Sequence, residues 1–133
     1  YEELKVDPKL VKLAWDEYVS LIQRKTASLF EAAARIGGII GEASEDAINA
    51  LSEYGLCLGT AYQIQDDVVD WGFEGKITEA LTLNPQKDGV LEYLKHMSKR
   101  YASQAKNALG SLTDTEAKHH LLNLADFTIS RTL

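Results

Sequence analysis

Four side chains that carry oxygen atoms lie at helical spacing near the middle of the chain. They are Gln63, Asp66, Asp67 and Asp70. The spacing i, i+3, i+4 and i+7 places all four on one side of a helix. That side continues the apolar stripe through Leu58 and Tyr62. Two carboxylates about 6 Å apart repel each other by about 3 kcal/mol at an effective dielectric constant near 20, so a cluster at the edge of a core needs a cation.

The three aspartates therefore predict a magnesium site. Carboxylates without a neighbouring histidine or thiolate favour Mg²⁺, which keeps several waters and shares its ligand shell with substrate phosphate. The predicted metal ligands are Asp66, Asp67 and Asp70. The alternative is a solvated acidic helix end, and the spacing is compatible with both.

A lysine interrupts the apolar stripe of the helix that comes before. The larger apolar members of that stripe are Tyr18, Ile22, Leu29 and Ile36. Lys25 falls on the stripe and Thr26 follows it. A buried ammonium needs an anion, so Lys25 could bind phosphate opposite the aspartates. The alternative is a lysine that extends its head to water or pairs with a nearby glutamate, which is the commoner arrangement for a lysine taken alone.

Small residues precede the aspartates on their helix. Gly55 and Gly59 are four residues apart, and Ala61 follows them. Residues at this spacing share a helix face, so we expect close helix packing there. The alternative is a ligand tail that runs along the helix.

Four long helices with short links must position these residues. Apolar residues recur at helical spacing almost throughout, and no strand-like alternation extends beyond four residues. The predicted helices run from 7 to 38, from 44 to 72, from 85 to 109 and from 113 onwards, with loop and a short helix over 72–84. Ser44 is the expected cap of the second helix. Thr113 and Glu116 form a capping box for the fourth. The fold class is all-α, an antiparallel helix bundle.

The composition is typical of one folded, water-soluble domain. The chain has 133 residues, of which 45% are apolar and 26% charged. The net charge of −6 argues against nucleic acid and against an anionic membrane surface as partners. The longest apolar stretches are too short and too charged for a membrane span. Cys57 is the single cysteine, so no internal disulfide can form. We expect a cytoplasmic location.

Three segments occur in a recognisable order. Residues 25–30 read KTASLF, residues 54–70 read YGLCLGTAYQIQDDVVD, and residues 75–78 read GKIT. They resemble the KTA(S/G)LF, YGxxLGxAFQIxDDxxD and GKxT segments of the trans-isoprenyl diphosphate synthases, the polyprenyl synthetase family. The second of these holds that family's second aspartate-rich motif. The resemblance covers essentially the whole chain, as the C-terminal half of such a domain.

The resemblance implies a larger isoprenoid-synthase-type helical fold, usually dimeric, and a prenyltransferase. Such enzymes ionise an allylic diphosphate with the help of Mg²⁺, and the double bond of isopentenyl diphosphate attacks the resulting cation. By the same resemblance, Asp66, Asp67 and Asp70 bind metal, with Asp66 the best-supported direct ligand. Lys25 and Lys76 bind diphosphate. The side-chain oxygens of Thr26 and Gln63 lie near the developing cation.

The chain departs from the family pattern in two places. It has no counterpart of the first aspartate-rich motif, which the family carries in its N-terminal half. The family also has about ten or more additional residues between the second motif and GKxT, whereas Asp70 and Lys76 are six positions apart here. We therefore expect residues 1–133 to be the C-terminal half of one domain, with a missing loop between 71 and 75. Which of the family's lysines Lys76 matches stays open.

Two functions from different classes are compatible with these observations. The first is a Mg²⁺-dependent prenyltransferase that condenses an allylic diphosphate with isopentenyl diphosphate, in a homodimer. The alternative is a non-catalytic helical subunit that partners such an enzyme, which the absent first motif keeps open. The retained Lys25, Gln63 and aspartates speak for the enzyme, because a scaffold would not require them.

Overall fold

The computed structural model describes residues 8–74 and 90–130, which are helical apart from short links. The elements are α1 (Pro8–Ile22), a π-helical turn (Gln23–Ala27), α2 (Ser28–Ile40), α3 (Glu45–Glu74), α4 (Val90–Ala108), a 3₁₀ turn (Leu109–Ser111) and α5 (Glu116–Ser130). No strand occurs in these two ranges, and the all-α prediction is confirmed. The predicted link over 72–84 and the predicted helix start at Pro85 fall largely or wholly outside the described residues.

The first predicted helix is continuous but contains a π turn. We refer to α1, the π turn and α2 together, residues 8–40, as the rod. Residues on both sides of the turn keep right-handed helical angles, as at Ile22 (φ −57°, ψ −46°) and Ser28 (φ −62°, ψ −30°). The Ser28 amide donates to the carbonyl of Gln23, five residues back, so it is not available to the carbonyl of Arg24. The Ser28 hydroxyl donates to that carbonyl instead, at 2.8 Å. This side-chain hydrogen bond supports the wider turn.

The rod ends later than the sequence predicts. We expected it to stop at residues 37–38, but both glycines remain helical and α2 ends at Ile40. The residue with a left-handed conformation is Glu42, at φ 59°. The Ala43 amide donates to the carbonyl of Gly38 at 2.9 Å, and the Glu42 amide to that of Ile39 at 3.0 Å. These two bonds form a Schellman cap, in which a glutamate stands where glycine is usual.

The other helix boundaries agree only partly with the prediction. The Ser44 hydroxyl accepts a hydrogen bond from the Ala47 amide at 3.1 Å, so the predicted cap of α3 is confirmed. The predicted capping box at Thr113 is wrong. The cap of α5 is Thr115, whose hydroxyl accepts from the Lys118 amide at 3.1 Å, and α5 begins at Glu116.

Helix α3 lies at the centre, antiparallel to the rod on one side and to α4 on the other. Along α3, the positions of Gly38, Phe30 and Ala27 are met in reverse chain order. A Cβ atom at Gly55 would lie 2.6 Å from the carbonyl oxygen of Phe30, and one at Gly59 would lie 2.7 Å from the Cα of Ala27. The glycines therefore allow direct backbone contact between α3 and the rod, as their spacing predicts.

Two apolar clusters hold α3 in place. The first joins α1, α3 and α4 through Tyr18, Ile22, Ile64, Leu94 and Met97. The second joins α3, α4, the 3₁₀ turn and α5 through Tyr54, Cys57, Leu58, Ala105, Leu109 and Ala125. Among the described residues, no helix has both the length and the apolar composition that a membrane crossing requires.

An apolar stripe on α2 faces outward, contrary to the prediction. Leu29 is 67% exposed and Ile40 is 76% exposed, and Ile36 lies between them on the same face. The π turn adds one residue to the helical repeat, so positions beyond it no longer continue the inward face of α1. Because α3 covers only one side of α2, this outer stripe of residues 29, 33, 36 and 40 is left exposed by the part of the chain that the structure describes.

The backbone contact at Gly55 leads to a stability prediction. We expect Gly55→Ala to lower the free energy of unfolding by about 1–3 kcal/mol, because the new methyl group would collide with the Phe30 backbone. Gly37→Ala is the matched control. Apart from the backbone of its own helix and its chain neighbours, no described atom lies within 4 Å of the new methyl group, so the gain in helix propensity should stabilise the chain by up to about 1 kcal/mol. Urea unfolding measures both, and shifts of the same sign would contradict the prediction.

Candidate functional site

A chain of hydrogen bonds joins the rod to the acidic end of α3. The Thr26 hydroxyl in the π turn donates to Oε1 of Gln63 at 3.3 Å. Nε2 of Gln63 donates to Oδ1 of Asp67 at 3.2 Å. The Tyr18 hydroxyl donates to Oδ2 of Asp67 at 2.5 Å. The structure therefore brings Thr26, Gln63 and Asp67 together, and adds Tyr18 to them.

The chemistry of the partners fixes which way the Gln63 amide points. An ionised carboxylate only accepts hydrogen bonds, so Asp67 selects the NH₂ group of Gln63. The carbonyl oxygen of Gln63 is then directed to Thr26, whose hydroxyl donates to it. One lone pair of that oxygen remains after the threonine bond. The network thus presents a neutral oxygen in a defined orientation beside the π turn.

Opposing electrostatic effects act on the pKa of Asp67. The pKa of its carboxyl is raised, chiefly by burial and further by the charges of Asp66 and Asp70, while the hydrogen bonds from Tyr18 and Gln63 oppose this rise. Burial also raises the pKa of the Tyr18 hydroxyl, and the Asp67 charge adds to this, so the phenol keeps its proton. Both Asp67 oxygens therefore accept from protein donors.

The three aspartates do not share one environment. Asp66, Asp67 and Asp70 are all half-buried on α3, but both oxygens of Asp67 are bound to Tyr18 and Gln63. Within residues 8–74 and 90–130, no three side chains of the His, Cys, Asp or Glu type lie together so that they could hold a metal ion. A metal at Asp66 or Asp70 would have to complete its shell with other oxygen ligands, such as water or phosphate.

Of the two interpretations of Lys25, the structure agrees with the one in which the head of the lysine extends to water. Its side chain is exposed, whereas Ala27 is fully buried. The reason is the π turn, which rotates the positions around residue 25 and turns Ala27 toward Gly59. Lys25 therefore adjoins Thr26 in sequence but faces solvent. Lys76 lies outside the described residues.

Tyr18 is the residue of the network that the sequence interpretation missed. We placed it only on the apolar stripe, and its ring is indeed in the core, with 7% of the residue exposed. A tyrosine has an apolar ring and a polar tip that needs a partner when it is buried. An inward tyrosine on a helix that faces an aspartate-rich neighbour was the available signal.

An apolar groove of about 500 Å³ lies toward the other end of α3. It is lined by Leu29, Phe30, Ala33, Ala34, Tyr54, Gly55, Leu58 and Leu124. Of the predicted site residues that the structure describes, none is among these eight. The groove is continuous with the outer stripe through Leu29 and Ala33.

A family model described as polyprenyl synthetase matches residues 3–120. Among curated proteins, the chain is 31% identical to a geranylgeranyl diphosphate synthase of Methanosarcina mazei, over 90% of the chain and 49% of that protein. It is 34% identical to a geranylgeranyl diphosphate synthase of Saccharolobus solfataricus, over 87% of the chain and 36% of that protein. The chain thus spans half or less of the length of these relatives.

The chain also superposes on solved structures of polyprenyl and decaprenyl diphosphate synthases. A decaprenyl diphosphate synthase from Rhodobacter capsulatus superposes with a TM-score of 0.76 at 29% identity, over 89% of this chain and 50% of that one. A polyprenyl synthase from Caulobacter crescentus, complexed with calcium and isoprenyl diphosphate, gives 0.74 at 30% identity, over 87% and 48%. The larger all-α fold predicted from the sequence is confirmed by these likenesses.

The lone cysteine is excluded as a nucleophile by its surroundings. Cys57 is 4% exposed, and its thiol lies 3.5 Å from a carboxylate oxygen of Glu53. Burial and the Glu53 charge raise the pKa of the thiol to about 12. At pH 8 only about one thiol in 10⁴ is then ionised.

We therefore expect Cys57 to react with the disulfide reagent DTNB at less than a hundredth of its rate in the urea-unfolded chain. Absorbance at 412 nm at pH 8 measures both rates. Rapid labelling of the folded protein would contradict the burial of this thiol.

Proposed function

Because the chain belongs to the polyprenyl synthetase family, we propose that it supplies the second half of the active site of a prenyltransferase. The reaction condenses an allylic diphosphate with isopentenyl diphosphate, head to tail. The observation that carries the proposal is the hydrogen-bonded set of Thr26, Gln63 and Asp67, with Asp66 and Asp70 on the same end of α3.

In this proposal, the oxygens of the network stabilise developing positive charge. Ionisation of an allylic diphosphate leaves a cation that needs electron-rich neighbours without a strong nucleophile. The amide oxygen of Gln63 and the hydroxyl oxygen of Thr26 are neutral, oriented dipoles of this type. Because their orientation is set before substrate arrives, no reorganisation opposes the reaction.

Two lysine side chains, those of Lys25 and Lys76, would bind the diphosphate. Lys25 is exposed beside the network, so its ammonium can meet a ligand that approaches from outside the bundle. Lys76 is the second proposed diphosphate ligand. Such charges favour departure of the diphosphate because they stabilise the negative charge that develops on it.

The residues present fit Mg²⁺ as the metal. Asp66 and Asp70 are four positions apart on α3 and offer hard oxygen ligands, and Mg²⁺ is usually bound by one or two carboxylates together with substrate phosphates and water. Asp66 is the first proposed ligand, and Asp67 and Asp70 complete the predicted set. Mg²⁺ bound there would supply positive charge to the leaving diphosphate.

The open surface of α2 supports an assembly with further helices. The outer stripe exposes Leu29, Ile36 and Ile40, and large apolar patches on a soluble protein mark surfaces that another element covers. Since the chain spans about half the length of its relatives, we propose that helices equivalent to the other half of those proteins complete the site. A homodimer in the cytoplasm is the proposed state. The free thiol of Cys57 suits a reducing compartment.

The metal assignment is tested by Asp66→Ala in the natural protein that carries this chain. We expect a loss of at least tenfold in turnover with Mg²⁺, because one carboxylate ligand is removed. The matched control is Asp126→Ala. Asp126 is an exposed aspartate on α5 that pairs with Lys106 at 2.8 Å, and its loss should leave turnover within twofold. Unchanged activity of the Asp66 variant would remove this residue from the ligand set.

The need for further helices is tested with residues 1–133 alone. We expect no chain elongation from an allylic diphosphate and radiolabelled isopentenyl diphosphate with Mg²⁺, whereas the natural protein should form labelled prenyl diphosphate. Turnover by the 133 residues alone would overturn the half-site proposal. If the natural protein is inactive as well but binds an active synthase, it is the non-catalytic partner subunit considered above.

A further inference from the structure

The hydroxyl of Tyr18 forms the end of the hydrogen-bonded network opposite Thr26, and Tyr18 belongs to none of the sequence motifs. It donates to Oδ2 of Asp67 at 2.5 Å, while Oδ1 accepts from Gln63 at 3.2 Å. These two bonds engage both oxygens of the carboxylate. They leave Asp67 with one defined orientation, and Gln63 with one fixed acceptor.

The ring of Tyr18 is itself fixed. It is packed in the cluster with Ile22 and Ile64, and its centroid lies 5.4 Å from that of Trp15. A side chain held on all sides by apolar neighbours presents its hydroxyl at one point. Because the Tyr18 ring is fixed in the core, its hydroxyl holds the Asp67 carboxylate in place.

The rod contacts the end of α3 at two points, one before the π turn and one within it. Tyr18 precedes the turn and binds Asp67, and Thr26 lies in the turn and binds Gln63. Gln63 connects the two because its amide donates at one end and accepts at the other. If the Tyr18 bond is lost, Oδ2 of Asp67 loses its protein donor, and the carboxylate can rotate away from Gln63.

From this geometry we infer that Tyr18 is a positioning residue, which orients the carbonyl oxygen of Gln63 through Asp67. It does not touch substrate. Its role is to keep the Gln63 oxygen beside Thr26 while the diphosphate leaves. This role rests on the proposed prenyltransferase function, since it concerns the same network.

The experiment compares Tyr18→Phe with Tyr54→Phe in the natural protein. Tyr54 is the matched control, because it is also a buried tyrosine whose hydroxyl donates one hydrogen bond, to the carbonyl of Leu121 at 2.7 Å. Both variants keep the ring and lose one hydroxyl, so we expect similar falls in Tm. Tyr18→Phe should lower kcat about tenfold with the KM for both diphosphates within twofold. Tyr54→Phe should leave kcat within twofold.

A second readout does not depend on turnover. In protein with labelled glutamine side chains, Tyr18→Phe should shift or broaden the NMR signals of the Gln63 amide, and Tyr54→Phe should not. In a Gln63→Ala background, Tyr18→Phe should change kcat by less than twofold, because its effect passes through Gln63.

Three results would overturn the inference. The first is that Tyr18→Phe leaves the Gln63 amide signals unchanged. The second is that its kcat stays within twofold of the parent protein. The third is that Tyr18→Phe lowers kcat by the same factor in the Gln63→Ala background as in the parent protein. If the parent protein transfers no prenyl group at all, the proposed function fails. The NMR comparison still decides whether Tyr18 orients Gln63.

Discussion

The direct backbone contact between α3 and the rod is the constraint on which the site depends. A side chain at Gly55 or Gly59 would place a Cβ within 3 Å of backbone atoms on the other helix. Only glycine therefore permits this approach, and the approach brings the hydroxyl of Thr26 within 3.3 Å of Gln63, one helical turn beyond Gly59. The two glycines thus set the close approach of the helices at which the polar network forms.

The sequence predicts much of the frame because hydrophobic spacing and helix caps are local properties. The all-α class, the start of α3 at Ser44 and the glycine contact all follow from residues that act on near neighbours. The failures occur where the backbone departs from the regular helical repeat or where two residues can serve as the same cap. The inward position predicted for Lys25 assumed an unbroken α-helical repeat, and the π turn adds a residue to it. Thr113 and Thr115 can both serve as a cap locally, and it is Thr115 that accepts a hydrogen bond from the first turn of α5.

The candidate site shows the same limit. The spacing of Asp66, Asp67 and Asp70 predicts that they share a side of α3, and all three are half-buried. It does not predict that Asp67 turns to Tyr18, since this contact joins residues 49 positions apart. A periodic pattern identifies which face a residue occupies. It cannot distinguish a carboxylate that accepts from a protein hydroxyl from one that faces a ligand, because both occur on the same face.

The side of the rod that faces α3 differs chemically from the side that is exposed. Thr26 and the buried Ala27 face α3, whereas Lys25 faces solvent and Leu29 continues outward on α2. Consecutive residues of the π turn therefore point a neutral hydroxyl inward and a cation outward. The exposed apolar stripe begins at Leu29, one helical turn beyond Lys25. In the proposed function, the diphosphate would meet the exposed cation, and helices equivalent to the other half of the relatives would cover the stripe.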